Sequence, residues 1–185
     1  MPELHAEYSP SSLEANEKCA ARKRLQDAWI ARNGPPPDNA AAAEGTRLHT
    51  LAEQLLLHKL NGAPRPHMDA EDYEQVKVYV DFIVDMVRAT PDPDTLILPE
   101  HKVYIYMDPD TGEQLCWGTS DCCLYFPKSR TAHIVDAKFG RIPVSPDTLQ
   151  LQAYAYGWLT ELEMMYGEGC VLDMGLHIVQ PKVED

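Results

Sequence analysis

The sequence predicts a mixed α/β domain, with parallel and antiparallel strands in one central sheet and helices on its faces. Three observations predict it. Apolar residues recur at helical spacing between residues 41 and 89, then switch to strand-like patterning from Leu96. Two turn sequences, Asp108-Pro109-Asp110-Thr111-Gly112 and Pro127-Lys128-Ser129-Arg130, separate three successive strands. A helical stretch then precedes one more strand, and a strand–helix–strand crossover leaves its two strands parallel.

Each element has its own signal. Ser11-Ser12-Leu13-Glu14 has the form of a capping box, starting a helix expected to run to about residue 31. Asn33-Gly34-Pro35-Pro36-Pro37-Asp38 breaks the chain. A second helix, about residues 41–60, carries the stripe Leu48, Leu51, Ala52, Leu55 and Leu56, and Asn61-Gly62 ends it. A third, roughly residues 70–89, sets Tyr73, Val76, Val80, Ile83, Val84 and Val87 on one side and stops before Pro91 and Pro93.

Strands are expected over Leu96–Met107, Gln114–Phe126 and residues 131–138. Ser145-Pro146 offers an N-cap and a proline at the first helical position, for a helix to about Tyr166. Residues 171–179 form the last strand. A length of 185 residues suits one domain spanning 1–185. It divides into an N-terminal helical region, 1–40, and a core, 41–182, with a helical insertion at 63–93.

Composition narrows the function classes. No apolar run approaches the ~18 residues of a membrane span, so no membrane partner is expected. The opening MPELHAEYSP lacks the basic and apolar regions of a signal peptide, which predicts a cytoplasmic protein. The five cysteines show no CxxC spacing and read as reduced thiols. Cys122 and Cys123 are adjacent in a strand and should face opposite sides. A net charge of −13 argues against a general nucleic-acid-binding surface. It is compatible with a site whose carboxylates hold cations that meet phosphate.

The chemistry centres on Gly118-Thr119-Ser120-Asp121 and, 15 positions after Asp121, Asp136-Ala137-Lys138. The Pro127–Arg130 turn folds the two strands together, so Asp121 and Asp136 should be close across the ladder. Two such carboxylates repel unless one is protonated or a cation bridges them. Mg²⁺ or Mn²⁺ suits oxygen ligands of this kind. Asp136 and Lys138, two apart on a strand, should share a face, and the lysine can meet charge developing on a phosphate. A DxK pair by itself is more often an exposed ion pair, but here Ile134-Val135 precede Asp136 and the Gly118–Asp121 motif lies beside it.

His49 and Glu53 lie one helical turn apart, and an HxxxE pair can supply ligands or be a solvated helical pair. Glu100, early in its strand, is a further acid within possible reach. Gln150 and Tyr154 share a helix face at i, i+4, where the tyrosine is also at core spacing.

The ordered series Gly45-Thr46-Arg47-Leu48-His49, Gly118-Thr119-Ser120-Asp121, Asp136-Ala137-Lys138 and Gln150-Leu151-Gln152-Ala153-Tyr154 resembles the RecB-like branch of the PD-(D/E)XK nucleases. The stretches Ser9-Pro10-Ser11-Ser12 through Cys19 and Ile178-Val179-Gln180-Pro181-Lys182 further resemble a phage and prophage exonuclease family within it. The resemblance covers about residues 8–182.

It implies a restriction-endonuclease-like αβββαβ core and a Mg²⁺- or Mn²⁺-dependent deoxyribonuclease, more an exonuclease on linear DNA ends than a sequence-specific endonuclease. Its setting would be phage or prophage DNA recombination, in the host cytoplasm, with a recombination protein as a possible partner. Asp121, Asp136 and His49 would be metal ligands, with the Ala137 carbonyl a further one and Glu100 within reach. Lys138 would be the catalytic lysine, and Gln150 and Tyr154 would position it or the DNA backbone. Some relatives carry an iron–sulfur cluster on one early and three late cysteines. Here only Cys170 follows the QxxxY helix, so no such cluster is expected.

The basic residues Arg22, Lys23, Arg24, Arg32, Arg47, Lys128, Arg130 and Arg141 are candidates for a phosphate track. Two rival readings stand beside the nuclease. One is a catalytically inactive module of the same fold that binds DNA or protein, and the other a hydrolase of RNA or small phosphoesters.

Overall fold

The computed structural model describes residues 8–37 and 39–182. Asp38 of the expected break and most of the amino-terminal stretch read for a signal peptide lie outside them. The chain folds as a four-stranded mixed sheet with helices on both faces. After a short 3₁₀ turn at Pro10–Ser12 come α1 (Leu13–Lys18), α2 (Arg22–Asn33), α3 (Ala40–Asn61) and α4 (Ala70–Ala89). Strands β1 (Leu96–Met107), β2 (Gln114–Phe126) and β3 (Thr131–Ala137) follow, then α5 (Leu149–Tyr166) and β4 (Asp173–Val179).

The sheet order is β1-β2-β3-β4, antiparallel between β1, β2 and β3 and parallel between β3 and β4. From α3 onward this is the expected order of elements, with α4 inserted. No described helix is long and apolar enough to cross a membrane.

Two apolar layers sandwich the sheet. On one face Leu48, Ala52, Leu55 and Leu56 of α3 meet Val76, Tyr79, Val80 and Ile83 of α4 over Cys122, Leu124, Phe126, Val135 and Ala137. On the other, Leu151, Tyr154, Trp158 and Leu162 of α5 cover Cys123, Tyr125, Ala132 and Ile134. The adjacent cysteines thus serve opposite layers, as strand alternation requires. Gly157 lets α5 approach β1 closely, because a Cβ there would lie 2.7 Å from the Tyr104 carbonyl oxygen.

Four boundaries differ from expectation, the slightest being that of β3, which ends at Ala137 rather than Lys138. The single helix read from Ser11-Ser12 to about residue 31 is two helices, parted at Cys19, whose backbone is extended. No capping box forms: Ser12 Oγ donates to the Ser9 carbonyl at 2.8 Å, which closes the 3₁₀ turn instead. The helix expected at Ser145-Pro146 begins at Leu149, where the Thr148 hydroxyl accepts the Leu151 amide at 3.2 Å. Here a distant residue overrides the local signal. Gln180 Oε1 accepts the Val144 amide, while its Nε2 donates to the Gly140 and Ile142 carbonyls, holding 140–144 as a loop. The last strand starts at Asp173, two residues later than read.

Candidate functional site

The site forms where β2 and β3 part. Their ladder ends at Cys122 paired with Val135, and on the other side of β2, Pro99 pairs with Cys122 and His101 with Ser120. One step along this register, Asp121 lies between Glu100 of β1 and Asp136 of β3. Three acids therefore form a row across three adjacent strands.

Asp121 substitutes for the missing ladder bond. Its Oδ2 accepts the Ala137 amide at 2.7 Å, while its Oδ1 stands 3.3 Å from His49 Nδ1. The α3 helix delivers that histidine, and the edge of the His49 ring meets Phe139 at a centroid distance of 5.2 Å. Burial on its own would lower the His49 pKa. The Asp121 hydrogen bond, with the charges of Asp121, Asp136 and Glu100, outweighs it and raises the value.

Glu100 is held in a left-handed conformation, φ 48°, which is unusual for a non-glycine residue in a strand. Such a conformation costs on the order of 1–3 kcal/mol and persists only where the surroundings enforce it. The ligating atoms of His49, Glu100 and Asp121 lie within 4.8 Å of one another, so these three could hold one ion. Burial, then the Asp121 charge, pushes the Glu100 carboxyl up to about 7.

Asp136 is placed differently from the other acids. It is 3% exposed and stands outside that three-residue group. Its Oδ2 has Lys138 Nζ 2.7 Å away as an ion-pair partner but no well-aligned hydrogen bond. Burial and the Asp121 charge push its pKa up to about 6 despite that lysine. Lys138 lies just past the end of β3, and the ion pair brings its side chain beside Asp136.

A family model described as a protein of unknown function (DUF2800) matches residues 5–185. The chain belongs to the DUF2800 family. No curated protein matches it.

In this DUF2800 protein the last of the sequence motifs supports the site from behind. Tyr154 is buried in the α5 layer, and its hydroxyl donates to the Thr119 carbonyl at 2.8 Å, two residues before Asp121. Burial raises its pKa and the Gln150 side chain opposes that rise, so Gln150 interacts with the same hydroxyl. A Cβ at Gly118 would lie 2.8 Å from that hydroxyl and 2.9 Å from Pro10 Cδ, which explains the glycine in the Gly118–Asp121 motif. Tyr154 therefore positions β2, where the sequence had left it between the lysine, the DNA backbone and simple packing. Glu53 is half-buried on α3, and its charge acts on Glu100.

Part of the expected phosphate track is otherwise engaged. Arg47 forms a bidentate pair with Asp72 of α4, at 2.6 and 2.7 Å, and also bonds Glu44. Lys23 pairs with Asp27, Lys128 with Asp92, and Arg130 donates to the Gly169 carbonyl. Arg22, Arg24 and Arg32 on α2, with Arg141 in the loop after Lys138, are exposed. Sequence reading gave no sign of the Phe139 ring beside His49, which depends on how α3 docks, or of the positive φ of Glu100.

Proposed function

We propose that this DUF2800 protein is a metal-dependent nuclease that hydrolyses DNA phosphodiester bonds, acting at ends. The observation that carries this reading is the row Glu100–Asp121–Asp136 at the parting of β2 and β3, flanked by His49 and Lys138. The donor set fits a hard or borderline divalent ion, Mg²⁺ or Mn²⁺. Two of the carboxyls are held near neutral protonation values, and one buried Asp136 oxygen has no aligned donor, as expected of groups that await a cation.

His49, Glu100 and Asp121 would form the core of that cation's ligand set. Asp136 would join it from β3. Backbone groups of one residue lie on one edge of a strand, so the Ala137 carbonyl shares the β2-facing edge with its amide. A cation bound there supplies Lewis-acid polarisation of a phosphoryl oxygen and lowers the pKa of a coordinated water. Lys138 brings a positive charge, 2.7 Å from Asp136, to the charge that builds up on the phosphate. Tyr154 holds β2, and with it Asp121, in place, and Gln150 meets the Tyr154 hydroxyl.

A net charge of −13 argues for a short footprint on DNA rather than a long electrostatic track. The exposed arginines of α2 and Arg141 suit such a footprint. The reading is tested by incubating end-labelled linear and covalently closed circular DNA with Mn²⁺, with Mg²⁺ and with EDTA. Metal-dependent release of nucleotides from linear DNA is expected, with circular DNA spared. Binding of DNA without cleavage under every metal condition would favour the inactive module, and cleavage of RNA alone the other rival.

A further inference from the structure

A second cluster of nitrogen ligands lies on the sheet face that α3 and α4 cover, away from the carboxylate row. His133 of β3 is the register partner of Gly175 of β4, and His177 follows two residues later on the same face. Their side chains meet above Gly175, with His133 Nδ1 3.1 Å from His177 Nε2. The glycine makes this possible, because a Cβ there would collide with His133 Nδ1 and come within 2.7 Å of His177 Nε2. Phe126 and Phe82 flank the pair, with ring centroids 5.7 Å from His133 and 5.4 Å from His177.

We infer that His133 and His177 form a two-imidazole chelate for a Zn²⁺-class transition-metal ion, distinct from the carboxylate site. The bite is right. Bonds of about 2.0–2.1 Å at angles between 90° and tetrahedral place two ligand nitrogens roughly 2.9–3.4 Å apart. Both rings are half-buried, and burial lowers the pKa of each, which leaves neutral imidazoles with lone pairs to donate. The hydrogen shared between the facing nitrogens need only move to the far nitrogen of its ring. Among the described residues no carboxylate or thiol has a ligand atom within 4.8 Å of both nitrogens, so the pair would be the whole protein ligand set and water would complete the shell. Imidazole nitrogen selects Zn²⁺, Ni²⁺ or Cu²⁺, whereas the carboxylate row selects Mg²⁺ or Mn²⁺. An ion here would clamp β3 to β4, the one parallel pair of the sheet.

The inference does not depend on nuclease activity and is tested without it. The tag-free, metal-stripped protein is titrated with Zn²⁺, following heat of binding and Tm, alongside His49→Ala alone and combined with His133→Ala or His177→Ala. A Tm rise on the order of 5 °C at a hundredfold excess over Kd is expected for the wild type. With the carboxylate site weakened in His49→Ala the rise should persist, and it should disappear when either His133→Ala or His177→Ala is added to that background. A rise that survives both of those changes, or that vanishes in His49→Ala, overturns the inference. A measurement on the unaltered chain guards against variants that fail to fold. Zn²⁺ should slow diethyl pyrocarbonate labelling of His133 and His177 but not of exposed His67, and Mg²⁺ should not. Equal labelling of the pair with and without Zn²⁺ overturns it.

Discussion

Asp121 Oδ2 accepts the Ala137 amide at 2.7 Å, one step past the last β2–β3 pair. One carboxylate thus satisfies a buried backbone donor with one oxygen and faces His49 with the other. The two roles separate by substitution. Asp121→Asn keeps an acceptor for Ala137 and should unfold close to wild type in EDTA. Asp121→Ala orphans that amide and should be about 1–3 kcal/mol less stable in denaturant titrations. Both should lose metal-dependent cleavage. Equal stability of the two variants would show that the Ala137 amide does not depend on this bond.

Much of this architecture is legible in sequence because the signals are local. The span of α4 is closed by Asp69, whose side chain accepts the Asp72 amide, and by the prolines after it, so its ends could be read directly. The strands β1 and β2 were bounded by turn residues in the same way. The start of α5 was not, since Gln180 recruits the preceding loop from 36 or more residues away. Within the site, the nearness of Asp121 and Asp136 follows from turn arithmetic. What could not be read is that His49 and Glu100 gather with Asp121 in one group of possible ligands, which Asp136 stands outside. That depends on the docking of α3 and on a strand residue with positive φ, neither of which leaves a periodic trace.

The acidic row should make stability without metal fall as pH rises. Folding raises the Glu100 pKa from 4.5 to about 7 and that of Asp136 from 3.8 to about 6. Between the ordinary and raised values the folded state holds protons that the unfolded state has lost, so stability declines through that window. His49 acts in the same direction, because a raised histidine pKa gives stability below its ordinary value that is lost at higher pH. His133 and His177, whose pKa values burial lowers, act oppositely up to their ordinary value of 6.5, so in EDTA Tm should fall from pH 6.5 to pH 8. The increment from Mn²⁺ should grow over the same range, as the cation replaces those protons. An increment equal at pH 6.5 and pH 8 would contradict the assignment of these groups as ligands.

Arg47 belongs to the fold rather than to a phosphate track. Its bidentate pair with Asp72 ties α3 to α4 beside His49. Arg47→Ala should lower Tm and leave the salt dependence of DNA binding unchanged. A salt slope smaller by about one would instead return Arg47 to the phosphate-contacting set.

Tyr154→Phe removes only the hydroxyl bonded to the Thr119 carbonyl. The expected loss is about 0.5–1.5 kcal/mol of stability. Because that hydroxyl fixes the strand and not the chemistry, Kd for Mn²⁺ should rise more than the cleavage rate at saturating metal should fall. The reverse pattern would mean that Tyr154 meets the substrate.

Lys138 separates chemistry from structure. Its ammonium is the ion-pair partner of Asp136 Oδ2, an oxygen otherwise without an aligned donor. Removing it by Lys138→Ala leaves a buried acid whose main charge partner is gone, and the Asp136 pKa should rise further. Metal binding should survive at pH 8, where the cation can displace the proton, and weaken more steeply than in wild type as pH falls to 6. Cleavage should be lost at both values, because the lysine no longer meets the charge that builds up on the phosphate. DNA affinity should fall only modestly, with the salt slope reduced by about one. Asp136→Ala should behave differently, weakening metal binding and cleavage together at every pH. Near-normal turnover by Lys138→Ala would make the lysine a counter-ion for Asp136 alone, and the nuclease reading would lose its catalytic cation.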